Sequence, residues 1–236
     1  LGASYYGTFA VLTGFLCGYP MGAKTTSDLL NVNKISRSEA SYLLSFCNNT
    51  SPAFILSYVV AQNMKERNLC IPFFLTPLML SFIFRLFYRL PESSCSFPQV
   101  TPGSFSNPSE SISDSFLDRC ILNAFESVTK VGGYMMMFSV LIQLLASVLP
   151  NTIFSLLLYS SLEISTGIRL LFSSALYTTE KIILCAFLTS FGGWCCIAQT
   201  YSMIPSSQLP ILPYITAKLV TALVTSLLIS AYIYAI

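Results

Sequence analysis

The sequence predicts an all-α fold: a polytopic transmembrane helical bundle whose apolar segments are interrupted by broken or re-entrant helices. Three observations carry this. Of 236 residues, 54% are hydrophobic and 9% charged, where a soluble domain carries roughly 25% charged residues. The charges are segregated, with no Asp, Glu, Lys or Arg in 1–23, 40–64, 68–84, 131–162, 182–217 or 219–236. Most of these windows reach or approach the roughly 20 apolar residues a bilayer-spanning helix needs. Several of them also contain Gly, Pro or Asn clusters that stop a helix partway.

Taken in order, Leu1–Cys17 reads as a helix that runs into Gly18-Tyr19-Pro20-Met21-Gly22. Ser36–Phe46 follows, with Ser36 as N-cap and Glu39 completing a capping box. It meets Asn48-Asn49-Thr50-Ser51-Pro52, and Ala53–Met64 resumes beyond. Ile71–Leu90 reads as a full span ending in Arg85 and Arg89, four apart on one face. From Pro91 to Ser113, Ser and Pro supply 12 of 23 positions, which predicts an aqueous loop. The organisation is therefore 1–90, a Ser/Pro-rich loop at 91–113, and 114–236.

In the second half Gly132–Leu149 reads as a full span. Asn151–Leu162 is a short helix that stops at Glu163-Ile164-Ser165-Thr166-Gly167. Lys181–Ser190 runs into Phe191-Gly192-Gly193-Trp194, and Tyr214–Ile236 is a closing span. Orientation stays open: Lys65 and Arg67 mark a cytoplasmic loop, but Arg85 and Arg89 mark the other end of the next helix equally well. The chain opens on Leu1 without a start Met or a signal-peptide n-region, which predicts a natural N-terminus further upstream.

Interrupted helices matter because free N–H and C=O groups cannot face lipid; an unwound stretch must be buried in protein or line a wet cavity. Half-helix ends aimed at such a cavity offer partial charge to a solute. The alternative for any single break is a kink without a ligand. The breaks also resemble one another. Ala10–Phe15 aligns with Ala186–Phe191, and Cys17–Thr25 with Gly192–Thr200 after a one-residue gap at Leu16, giving seven identities in fifteen positions. Paired interrupted segments in two halves point to a transporter-like site.

The candidate solute-binding residues lie at these breaks. They are Gly18, Tyr19, Pro20, Gly22 and Lys24 at the first, and Asn48, Asn49, Thr50 and Ser51 at the second. Glu163, Ser165 and Thr166 stand at the third, and Gly192, Gly193 and Gln199 at the fourth. Lys24 either pairs with an anionic solute group or snorkels to the interface. Glu163 ends a 32-residue uncharged run, and an intramembrane carboxylate defaults to function; the other reading is a surface loop residue. Lys218 lies early in the closing span and is read as snorkelling or as a polar candidate. Asn48-Asn49-Thr50 is formally a glycosylation sequon, poorly supported by its apolar flanks.

There is no histidine, which removes histidine triads, His-containing zinc sites and His-ligated haem. No phosphate-binding G-x-x-x-x-G-K-[ST] loop occurs. The sequence implies no cofactor, no metal site, no catalytic set and no nucleic-acid partner, since its net charge of +2 includes no basic cluster. Eight cysteines form no C-x-x-C pair and mostly fall in apolar stretches, so a disulfide framework is not expected. Adjacent Cys195 and Cys196 read as packing residues, with soft-metal binding as the alternative.

The stretches Gly18-Tyr19-Pro20-Met21-Gly22-Ala23-Lys24, Ile35–Ala40 and Leu44–Ile55 resemble the first signature block of the sporulation integral membrane protein family (YlbJ type). Leu162–Gly167, Phe191-Gly192-Gly193, Ala198-Gln199, Pro213-Tyr214 and Ala217-Lys218-Leu219 resemble its second block. The resemblance implies a wider kinship with Gate or "nucleoside recognition" domain membrane proteins, two gate-like repeats, and a bacterial, spore-forming source. It also implies helices preceding the first block, a location in the cytoplasmic membrane, and a role in sporulation.

Three functions compete. A transporter-like protein binding or moving a small polar solute at the repeat interface requires the Gly18–Gly22 and Gly192–Trp194 stretches to be broken and to face each other. A non-transporting scaffold would work through other sporulation membrane proteins or a homo-oligomer. Ferrous-iron or other metal transport would use Cys17, Cys195 and Cys196. No nucleophile–base set marks an enzyme.

Overall fold

The computed structural model describes residues 3–64, 113–150, 152–204 and 209–235. The expected span at Ile71–Leu90, the Ser/Pro-rich loop, Lys65, Arg67, Cys70 and Cys95 lie outside the described residues. Among those described, every regular element is helical: α1 (Tyr5–Cys17), α2 (Met21–Asn31), α3 (Arg37–Cys47), α4 (Phe54–Met64, wound as a π-helix), α5 (Ser113–Val148), α6 (Ile153–Leu162), α7 (Ile164–Ser173), α8 (Thr178–Phe191), α9 (Gly193–Met203) and α10 (Ile211–Ala235). Three stretches are long and apolar enough to cross a bilayer: Leu117–Val148, Thr178–Met203 with its internal break, and Ile211–Ala235. The all-α membrane bundle expected from the sequence is what forms.

Two of the interrupted segments are hairpins. Gly14 on α1 and Gly22 on α2 are so close that a Cβ on either would lie 3.1 Å from the other's Cα, whereas eight residues of continuous helix would separate them by about 12 Å. Both glycines pack on the Cys47 carbonyl at the end of α3, the close backbone approach that small residues permit between membrane helices. Likewise α6 folds back onto α7, with Gly167 against the Ser160 backbone and the Ser160 hydroxyl donating to Gly167 O at 3.3 Å. The other two are interrupted strings of helix: α3–α4, parted at 48–53, and α8–α9, parted at Gly192 in the left-handed region (φ +84°).

Helix starts follow local capping. Ser36 Oγ accepts from Glu39 N at 3.1 Å, so the expected cap is present. The Glu39 carboxylate, however, reaches across to accept from Ser4 N at 2.6 Å, tying α3 to the start of α1. Thr152 and Ser155 form a reciprocal capping box on α6.

The span expected at Gly132–Leu149 is the apolar end of a longer helix, because α5 begins at Ser113. Gly132 and Gly133 do not interrupt it, and a Cβ at either would meet open space. At 36 residues α5 is about 54 Å long, more than a hydrocarbon core of about 30 Å. The Glu126–Lys130 ion pair at 2.6 Å sits on its exposed surface.

The buried side chains form two apolar clusters, one around α1–α3 with parts of α9 and α10, the other around α4, α7 and α8. Tyr19 and Phe187 pack against both. Tyr19 belongs to the first break, so an interrupted segment joins the two halves of the core.

Candidate functional site

All four breaks meet. Gly18 (φ +76°) lies so close to the second break that a Cβ there would sit 2.8 Å from Ser51 N and 3.3 Å from Asn49 O. The ring of Tyr19 covers Gly192, where a Cβ would lie 2.7 Å from its hydroxyl. Gly193 completes the chain: its Cβ would lie 3.0 Å from Ser161 O at the end of α6. The Gly18–Gly22 and Gly192–Trp194 stretches are therefore both interrupted and both part of one assembly. The sequence match lays the α1–α2 hairpin over the α8–α9 break; the elements alike in shape are α1–α2 with α6–α7, and α3–α4 with α8–α9.

A cavity of about 140 Å³ opens where the breaks converge. Gly18 and Tyr19 contribute from the first hairpin, Thr50 and Ser51 from the second break, Glu163 and Ser165 from the third, and Gln199 from α9. Val131 and Met135 of α5 close one side.

Glu163 is 2% exposed. Its two carboxylate oxygens accept from Ser165 N at 2.9 Å and Thr166 N at 2.7 Å, capping α7 so that the helix dipole offsets part of the charge. The backbone donors fix the orientation of the carboxylate, and each oxygen retains a second lone pair. Gln199 donates from Nε2 to Cys195 Sγ at 3.3 Å, and Thr50 Oγ1 donates to Thr189 O at 3.4 Å. Ser51 Oγ accepts from Phe54 N at 3.2 Å, starting α4.

Behind this wall lies a polar network without an acid in it. Asn48 donates to Thr200 Oγ1 at 2.7 Å and to the Tyr214 hydroxyl at 3.0 Å, while its carbonyl accepts from Ala23 N at 3.4 Å. One amide thus joins α2, α9 and α10. Asn49 donates to Phe46 O and accepts from the ammonium of Lys218. Lys218 is fully buried, 5.1 Å from the Tyr19 ring centroid and 5.8 Å from that of Tyr214. Among the described residues it has no carboxylate within ion-pair distance; the amide oxygen and two ring faces hold the charge instead. The Tyr19 hydroxyl is buried beside that of Tyr214.

The remaining sequence candidates take other places. Lys24 turns away from the cavity and donates to Ser127 Oγ at 2.6 Å and Asn123 O at 3.3 Å, stapling α2 to α5. Pro20 follows a cis peptide bond at the hairpin tip, and Gly22 supplies the close approach to Cys47. Asn48 and Asn49 stand behind the wall, Thr166 contributes its backbone N–H, and Gly192 and Gly193 shape the break. Asn48 is fully buried and hydrogen-bonded, which leaves no room for glycosylation. The six described cysteines are free thiols, and among the described residues no group of three or more Cys, Asp and Glu is placed to hold a metal ion.

Lys218, Thr200 and Tyr214 are central to the network yet weakly marked in sequence. The available signal was Lys218 itself, a single charge between two long uncharged runs.

The chain is 25% identical to the sporulation integral membrane protein YlbJ of Bacillus subtilis (strain 168) over 246 aligned residues, covering 90% of this chain and 60% of that protein. This likeness bears out the resemblance to the YlbJ-type family read from the motifs. The chain spans about 60% of the length of the relative it matches. No protein-family profile and no solved structure matches it.

Proposed function

We propose that this is a multi-pass, transporter-like protein of the bacterial cytoplasmic membrane that binds, and moves, a small polar solute in the cavity between its four helix breaks, in the service of sporulation. The single observation behind the reading is the convergence of the breaks. Four interruptions in one bundle, linked through Gly18–Ser51, Tyr19–Gly192 and Gly193–Ser161, gather helix ends around one cavity whose largely apolar wall carries a few polar groups. Such ends are tolerated within a membrane only in protein or beside a wet cavity. The likeness to a protein named for sporulation supports the biological setting.

The chemistry of the wall narrows the solute. Glu163 brings a fixed negative charge, and Gln199, Thr50 and Ser165 bring neutral polar groups. A neutral or cationic molecule rich in hydrogen-bond donors fits this wall better than an anion. The volume of about 140 Å³ resembles an engineered cavity of about 150 Å³ that admits a single benzene ring, so the solute is of one-ring size. The reading assigns binding and movement, with no catalytic step.

The test is uptake of a panel of small heterocycles and amines into proteoliposomes, paired with ligand-induced thermal shifts of the detergent-solubilised protein. Movement or a thermal shift that weakens in Glu163→Gln supports the proposal. No uptake and no shift with any compound, with sporulation tolerating Glu163→Gln, favours the scaffold reading.

A further inference from the structure

A second cavity, of about 800 Å³, lies between the C-terminal part of α5 and the outer face of the α6–α7 hairpin. It shares no lining residue with the first. Its depth follows from the hairpin. Each arm has ten residues, about 15 Å of helix, or half of a hydrocarbon core of about 30 Å. A tip at mid-depth would bring the open end, at Thr152 and Ser173, to the membrane surface. Arg169 sits four residues inside Ser173, about 6 Å deeper, within the reach of a snorkelling guanidinium.

The groove therefore has a polar mouth and a greasy flank. Ile142, Leu156 and Leu170 form the apolar wall. Arg169 and Gln143 line the mouth and are exposed, and neither makes a hydrogen bond or ion pair among the described residues. The other titratable groups at this end are already engaged or neutral. Lys181 donates to Phe172 O at 3.0 Å, and Glu180 accepts from Tyr177 N at 3.1 Å. Ser173 and Ser174 donate to backbone carbonyls, leaving oxygen lone pairs but few free protons. Among the described residues Arg169 is thus a cation without an anion, beside an apolar channel.

We propose that this groove holds one anionic phospholipid, its phosphate paired with the Arg169 guanidinium and the Gln143 amide and its acyl chains laid along Ile142 and Leu156. A guanidinium presents a planar fork of donors that matches two phosphate oxygens at once. Lipid would thereby fix the distance between α5, which also closes the solute cavity through Val131 and Met135, and the α6–α7 hairpin. The inference rests on the membrane assignment and not on solute transport.

Native mass spectrometry of the full chain in mild detergent, titrated with phosphatidylglycerol or phosphatidylcholine, tests it. We expect one tightly held phosphatidylglycerol, roughly tenfold preferred over phosphatidylcholine (a tenfold ratio being about 1.4 kcal/mol) and not displaced by inorganic phosphate. Arg169→Gln should abolish the preference, Arg169→Lys should keep part of it, and Lys34→Gln, a change on a distant surface, should leave it intact. Equal retention of both lipids, an unchanged preference in Arg169→Gln, displacement by phosphate alone, or a Ser173→Cys cross-link to another protein segment in place of lipid would each overturn it. Arg169→Glu adds a check that does not depend on loss: it should turn the preference against phosphatidylglycerol while the helical circular dichroism stays parental.

Discussion

The hydroxyl end of the Tyr19 ring packs against Gly192, and this contact holds the first break to the fourth. A side chain at Gly192 would meet two penalties at once: a positive φ of +84° and a Cβ 2.7 Å from the Tyr19 ring. Gly192→Ala is expected to destabilise the fold by about 1–3 kcal/mol. Gly132→Ala is its control, since open space surrounds that position and alanine gains up to about 1 kcal/mol of helix propensity there. Thermal melts of the two variants in detergent should move in opposite directions. Equal melts would mean that the two breaks do not dock.

Lys218 and Asn49 give an asymmetric pair of substitutions. Lys218→Met removes a buried charge together with its desolvation cost but orphans the Asn49 amide oxygen, so the two effects offset and stability should stay within about 1 kcal/mol of the parent. Asn49→Leu keeps the ammonium and removes its oxygen acceptor, which should cost about 2–4 kcal/mol. Chemical denaturation in mixed micelles reads both. A large loss in Lys218→Met with little in Asn49→Leu would show that the lysine, rather than the pairing, holds the network.

Much of the fold is legible in the sequence, because a break in an apolar run is a local signal. Gly18, the Asn48–Pro52 cluster, the Glu163 region and Gly192 each stop a helix where composition says they should. Gly132-Gly133 shows the limit: without a neighbouring backbone or a cap to favour unwinding, the pair stays inside α5. The polar stretch from Lys24 to Asp28 similarly hides α2, whose Gly22, Ala23, Thr26 and Ser27 are buried by tertiary packing. Partnerships are harder to read than breaks. Lys24 adjoins a break in sequence, but its direction on α2 sends it to α5. Lys218 finds Asn49 at a separation of 169 residues, which no local periodicity encodes. The third break was read from Glu163, yet that residue's role as cap of α7 depended on a helix with no long apolar window of its own.

Glu163 combines a structural and a recognition role, and graded substitutions separate them. Glu163→Gln retains an oxygen that can accept from Ser165 or Thr166 N, and loses the charge that favours the α7 N-terminus; it should cost about 0.5–1 kcal/mol. Glu163→Ala removes both acceptors and should cost about 1–2 kcal/mol. Solute-dependent thermal shifts should weaken in both, because the charged acceptor on the cavity wall is absent from each. A full ligand response in Glu163→Gln would confine this residue to capping.

Lys24 supplies the sharpest contrast between position in the chain and position in space. Its ammonium bridges to Ser127 and Asn123 on α5, and it does not line the solute cavity. Lys24→Met preserves most of the aliphatic stem and removes the two hydrogen bonds, so it should lower stability by about 0.5–1.5 kcal/mol. Uptake or binding per folded molecule should remain parental, and Ser127→Ala, which leaves the bond to Asn123 O, should show part of the same loss. In the double variant the two losses should overlap rather than add, since both delete one interaction. If Lys24→Met instead abolishes solute response at unchanged stability, the solute reaches α2, and the binding site extends beyond the cavity at the four breaks.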